Sequence, residues 1–175
     1  MIIDARKGNK KAFMELIKKH EAQVAATVIG MLGNCPEAED IGQETFIRFY
    51  KSLDKFRGES STGTYLTRIA INLSLNELKR RKRQRRLFFS KSDNKFENVP
   101  DKNNQEDESE KKKIIRHAIQ KLDPKFRSVI TLRLINGYST KETAQILKLP
   151  AGTVLSRLAR GQMKLKEILS PLYKV

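Results

Sequence analysis

Four polar side chains late in the chain, Thr153, Ser156, Arg157 and Arg160, recur at steps of one, three and four residues on what reads as the outer side of a helix. Hydroxyl and guanidinium groups presented this way can bond base edges and phosphate oxygens. The surrounding segment predicts two short helices around a tight break. Ser139 or Thr140 can cap the first, with Glu142 placed to close a capping box, and Ala144, Ile146 and Leu147 give it a buried side. Lys148-Leu149-Pro150 ends it, because proline clashes with a helix continuing through it and restricts the residue before it. The second helix starts near Ala151-Gly152 and buries Val154, Leu158 and Leu165. This is the helix-turn-helix design, in which the N-terminal half of the second helix enters the DNA major groove. The bland alternative is a helical hairpin with a solvated basic face.

A second group of chemically active residues is the cationic run Arg80, Arg81, Lys82, Arg83, Arg85 and Arg86. Six cations among seven positions suit a phosphate-binding surface better than a solubilising tail. The net charge is +16, with 36 Lys+Arg against 20 Asp+Glu among 175 residues, which points to a polyanionic partner. It is unevenly spread. Residues 59–90 carry +6 and residues 114–175 carry +9, whereas residues 91–113 carry −1. Two basic regions around a near-neutral segment fit two DNA contacts joined by a linker.

Other chemistries find no residues. Cys35 is the single cysteine, so neither an internal disulfide nor a cysteine-rich zinc site can form. His20 and His117 are isolated and read as surface or interface residues. There is no nucleophile–base pair, paired-carboxylate motif, phosphate-cradling glycine loop or metal cluster. The expectation is a protein that is not an enzyme, with no catalytic residue, metal, cofactor or small-molecule substrate. The longest apolar stretch, residues 24–32, is too short to span a bilayer, and no signal peptide opens the chain. A soluble, cytoplasmic protein without direct membrane insertion is expected.

The elements positioning these groups are helical, with no alternating strand pattern. The periodicity predicts helices over residues 4–20 and 21–32, the second stopping at Gly33-Asn34. Pro36 opens a third helix with an acidic first turn and an apolar side of Ile41, Thr45, Phe46, Phe49 and Leu53. A loop over residues 57–61 leads to a fourth helix, residues 62–86, with Tyr65, Leu66, Ile69, Ala70, Leu73 and Leu78 toward a core. Residues 90–112 are polar and charged and read as a flexible linker. Helical patterning resumes with Ile114, Ile115, Ala118, Ile119 and Leu122, and Asp123-Pro124 opens a helix containing Phe126, Val129, Ile130, Leu132 and Leu134 that ends at Asn136-Gly137. The fold class is therefore all-α: two helical domains, residues 1–89 and 113–175, joined by the linker.

Two blocks in order make this a family resemblance. Residues 37–61, continuing into Thr64-Tyr-Leu-Thr-Arg-Ile-Ala-Ile-Asn72, form the first. Leu122-Asp-Pro-Lys-Phe-Arg-Ser-Val-Ile-Thr-Leu-Arg-Leu134 with the helix-turn-helix forms the second. Together they resemble the extracytoplasmic-function sigma factors, which keep only sigma regions 2 and 4. The resemblance implies that region 2 binds RNA polymerase core at the β′ clamp helices through Asp40, Gln43, Glu44 and Arg48. It implies a pocket for a flipped −10 base at the loop 56–61, with Phe56, Ser60, Ser61 and Asn72 supplying an aromatic wall and hydrogen-bonding groups. Lys79, Arg80 and Arg83 would hold the −10 DNA, and Thr153, Ser156, Arg157 and Arg160 the −35 element. Promoter DNA and an anti-sigma factor are the implied partners.

This chain departs from the pattern at Tyr65, where many relatives carry Trp, and at Leu155 and Ala159 in the recognition helix. In the free chain the two domains can pack together and cover both DNA surfaces. The rival reading, a free-standing helix-turn-helix regulator on duplex DNA, accounts for residues 113–175 but not for the Asp40–Glu44 block or the loop.

Overall fold

The computed structural model describes residues 2–89 and 110–172. Most of the expected linker lies outside them. Helices α1 (Ile2–Arg6), α2 (Lys10–Leu32), α3 (Pro36–Ser52) and α4 (Thr62–Phe89) make a first module; α5 (Glu110–Gln120), α6 (Pro124–Ile130), α7 (Thr140–Leu147) and α8 (Ala151–Leu169) make a second. No strand occurs among the described residues.

Several boundaries differ from the sequence reading: α4 runs on to Phe89 rather than ending at residue 86, and α5 begins at Glu110, inside the expected linker. The break predicted between residues 20 and 21 is absent, because no glycine or proline interrupts the chain there. It falls instead at Gly8-Asn9, where Gly8 takes φ +83° and the Asn9 side chain accepts the Ala12 N–H at 3.2 Å. After α6, the helix widens into a π-turn over Thr131–Ile135, with the Asn136 N–H on the Thr131 carbonyl at 2.9 Å. The wide turn shifts the helical phase. Leu132 is buried, while Leu134, two residues on, is exposed. Ile115 is likewise exposed.

The first core gathers Leu16, Val24, Val28, Met31, Phe49, Leu66, Ala70 and Ile71 between α2, α3 and α4. The second gathers Ile119, Leu122, Phe126 and Ile130 beneath Leu158, Leu165 and Ile168 of α8. The modules share a boundary, since Leu132, Tyr138 and Ile146 of the second join the first core. At this seam Gly30 meets the π-turn, and the last carbonyls of α2, which no helical N–H can reach, receive donors from the other module. Gln120 Nε2 donates to Gly30 O at 2.9 Å, and Arg127 Nη1 to Met31 O at 2.7 Å. Asn136 Nδ2 donates to Thr27 Oγ1 at 2.8 Å. The Tyr138 hydroxyl accepts from Gln23 Nε2 at 2.6 Å and pairs with Thr67 Oγ1 at 2.9 Å. Burial pushes the Tyr138 phenol upward in pKa, so it stays neutral.

The helix-turn-helix forms as the sequence predicts. Ser139 Oγ accepts the Glu142 N–H at 3.2 Å, and the Glu142 carboxylate takes the Ser139 N–H at 2.8 Å, completing the capping box. Bonds from the Ser139 hydroxyl and backbone hold the Glu142 carboxyl below its ordinary pKa. A depressed carboxyl stabilises the fold where it is ionised in both states, above its ordinary range; that contribution disappears as pH falls through the lowered value. Ser139→Ala is expected to lose about 1 kcal/mol at neutral pH. Urea titrations from pH 7 to pH 3 should show this difference narrowing with acid.

Candidate nucleic-acid interface

Asp40, Gln43, Glu44 and Arg48 lie on the outer side of α3, away from Thr45 and Phe49, which are buried against α2 and α4. Asp40, Gln43 and Arg48 are exposed and Glu44 is half-buried. Arg48 Nε sits 2.7 Å from Glu44 Oε1, one turn apart. Glu44 therefore has an internal cation, and its carboxylate must exchange or share that partner when it meets another basic surface.

The loop after α3 borders a cavity of about 450 Å³, lined by Lys55, Phe56, Arg57, Ser60, Tyr65 and Arg68 together with Gln145 of α7. Phe56 is only 6% exposed. Its ring packs edge-on against Tyr65 at 4.9 Å and Phe49 at 5.9 Å, forming a floor continuous with the core. Ser60 is at the wall, but Ser61 is spent on α4: its Oγ accepts the Thr64 N–H at 3.1 Å and pairs with Thr64 Oγ1. Asn72 is exposed, one turn beyond Arg68. Lys55, Tyr65, Arg68 and Gln145 are the lining residues the sequence reading missed. Arg68 could have been found from its register, since it shares a helical face with Asn72. Its Nε is buried without a hydrogen-bond partner. Gln145 could not have been found, because it comes from the other module.

Along α4, Arg68, Asn72, Lys79, Arg83 and Arg86 fall on one stripe at 100° per residue. Asn72, Lys79, Arg83 and Arg86 are exposed, so the stripe leads from the cavity rim to the cationic end. Arg80 is also exposed and pairs within its own helix. Its Nε and Nη2 grip both oxygens of Glu77 at 2.7 and 2.9 Å, and this pair holds the Glu77 carboxyl below its ordinary pKa. Arg81 joins Glu77 at 2.9 Å and Glu37 at 3.5 Å, tying α4 to the start of α3.

In α8, Val154 and Gly161 are buried, and Gly161 lets Ile130 approach to 3.1 Å of where a Cβ would stand. The opposite face exposes Ser156 and Arg160, with Thr153 and Arg157 half-buried beyond Arg160 on one side. Ser156 Oγ donates to Thr153 O at 3.0 Å, leaving its lone pairs outward. Packing of the modules therefore leaves this recognition face open while Gln145 stands at the rim of the cavity. Of the two candidate DNA surfaces, the packed chain brings the other module to the border of the loop cavity and leaves the exposed face of α8 uncovered.

The family profile "Sigma-70 region 2" matches residues 16–84, and "Sigma-70, region 4" matches residues 112–165. The chain is 31% identical to the RNA polymerase sigma-H factor of Pseudomonas aeruginosa, covering 97% of this chain and 92% of that one. It is 34% identical to the ECF RNA polymerase sigma factor SigW of Bacillus subtilis, covering 98% and 96%. Among solved structures it is similar to CnrH in complex with the cytosolic domain of CnrY, with a TM-score of 0.71 at 26% identity over 97% of this chain and 95% of that one. With regions 2 and 4 matched in order and full-length relatives of that kind, the chain belongs to the extracytoplasmic-function RNA polymerase sigma factors.

Proposed function

We propose that this chain is a dissociable sigma subunit that binds RNA polymerase core through the outer face of α3, places −35 duplex on α8, and captures a −10 base beside the Phe56–Ser60 loop. The observation carrying this reading is the combination, in one chain, of an exposed acidic and amide face, an aromatic-floored cavity rimmed by cations, and an open recognition helix. A free-standing regulator would need only the last. The chemistry asked of the protein is binding and strand opening, not a covalent step, so the chain acts as an initiation factor rather than an enzyme. It works in the cytoplasm, where the polymerase is. CnrH is solved in complex with the cytosolic domain of another protein; by analogy an anti-sigma factor is the expected inhibitor. No helix among the described residues is long and apolar enough to cross a membrane.

Pull-down with core polymerase followed by run-off transcription, with and without the chain, tests the reading. The double reversal Asp40→Lys, Glu44→Lys faces a basic partner with two cations. It also leaves Arg48 without its carboxylate. Like-charge contact of this kind costs several kcal/mol, so core affinity should fall by about a hundredfold. Both residues sit on the outer face, so the helical signal should be unchanged. A double variant with wild-type core affinity removes α3 as the docking face.

A further inference from the structure

The recognition helix carries an apolar edge that phosphate chemistry does not explain. At 100° per residue, Gly152 and Ser156 mark the middle of the exposed arc of α8. Arg160 and Lys164 flank one side; Leu155 and Ala159, one turn apart, flank the other. Leu155 is 54% exposed. It lies in the first turns of the helix, the part of a helix-turn-helix that reaches base edges. A leucine has no donor or acceptor for a base edge. The apolar group the major groove offers is the C5-methyl of thymine. The cationic flank next to it fixes the polyanion on the same face, so the apolar edge meets the groove rather than another protein.

We infer that Leu155 is a specificity-determining residue that reads a thymine of the upstream promoter element through its C5-methyl, with the Ala159 methyl extending the contact. This rests on the proposed −35 role of α8. It predicts a chemical signature distinct from that of Ser156 or Arg160, which bond oxygen and nitrogen atoms that deoxyuridine also presents. Removing one methyl that becomes buried on binding should weaken binding about fourfold.

The test uses the full chain assembled with core polymerase and a duplex promoter selected by that holoenzyme from a random library. Each thymine of the upstream element is replaced in turn by deoxyuridine, which lacks only the methyl. The expected result is a loss of about fourfold at one position for the wild type, kept by Leu155→Met and abolished in Leu155→Ala. Selection of no upstream element, or full binding by Arg160→Ala, would overturn the −35 role itself. An upstream element that is selected and needs Arg160, but shows no deoxyuridine effect or shows it equally in Leu155→Ala, would overturn the thymine contact alone.

Discussion

Replacing Phe56 with alanine is expected to destabilise the first module severely rather than to produce a clean promoter-opening defect. The ring is 6% exposed and packs against Phe49 and Tyr65, so its removal leaves a cavity inside an aromatic cluster. Such truncations cost about 3–5 kcal/mol, a large share of the stability of a domain this size. Phe56→Leu keeps most of the volume and should fold, while losing the flat surface a base would stack on. Asn72→Ala removes an exposed amide and should leave stability within about 0.5 kcal/mol of wild type. On a duplex promoter, Asn72→Ala and Phe56→Leu should each slow open-complex formation. On a template already unpaired at the −10 element, a variant that only aids opening should recover, and one that reads the captured base should not. Thermal melts run alongside separate folding loss from functional loss. Full duplex activity in both folded variants would place −10 capture somewhere other than this cavity.

What the sequence made legible depended on how local the signal was. The capping box at Ser139 and Glu142, the stop at Gly33, the start at Pro36 and the break at Pro150 are properties of three or four neighbouring residues, and each stands where the pattern predicts. The π-turn at Thr131–Ile135 was not legible, because apolar residues at 129, 130, 132 and 134 fit an ordinary helix equally well. The choice between them is made by contact with α2. Among the candidate contact residues, the exposed ones were readable as exposed. The commitments of Ser61 to Thr64 and of Arg80 to Glu77 lie within three residues and could have been anticipated from capping and ion-pair spacing. The role of Gln145 at the cavity could not, since residues 68 and 145 are neighbours only in the packed chain. Asn136, Tyr138, Gln120 and Arg127 carry no local sign of the bonds they make to the first module.

Gly30 is where that packing is most open to test. A Cβ built there would stand 2.7 Å from Thr131 Cγ2, 3.0 Å from Thr131 Oγ1 and 3.3 Å from Ile135 Cδ1, all in the second module. Thr131 is fully buried, and its β-branched side chain has little rotamer freedom with which to yield. A side chain at position 30 therefore strains the seam where the second module meets the first core. In an isolated helix the same change would help, since alanine favours helix over glycine by about 1 kcal/mol. The seam also holds apolar contacts, since Leu132, Tyr138 and Ile146 are buried in the first core. The bonds from Gln120, Arg127 and Asn136 satisfy α2 carbonyls and Thr27, but they require a guanidinium to be buried. Burial, and secondarily the charge of Arg81, lowers the Arg127 pKa to about 10. It remains charged at neutral pH, and separation of the modules would return it to water. Gly30→Leu is thus expected to open the chain while both modules keep their helical signal. By X-ray scattering a compact chain of this length has a radius of gyration near 16 Å, and the variant should exceed it by several ångströms. If Gln145 at the cavity rim restricts access in the closed chain, the variant should also bind an unpaired −10 strand about tenfold more tightly. An unchanged radius would mean that the seam absorbs the side chain. A larger radius with unchanged strand affinity would mean that closure does not limit access to the cavity.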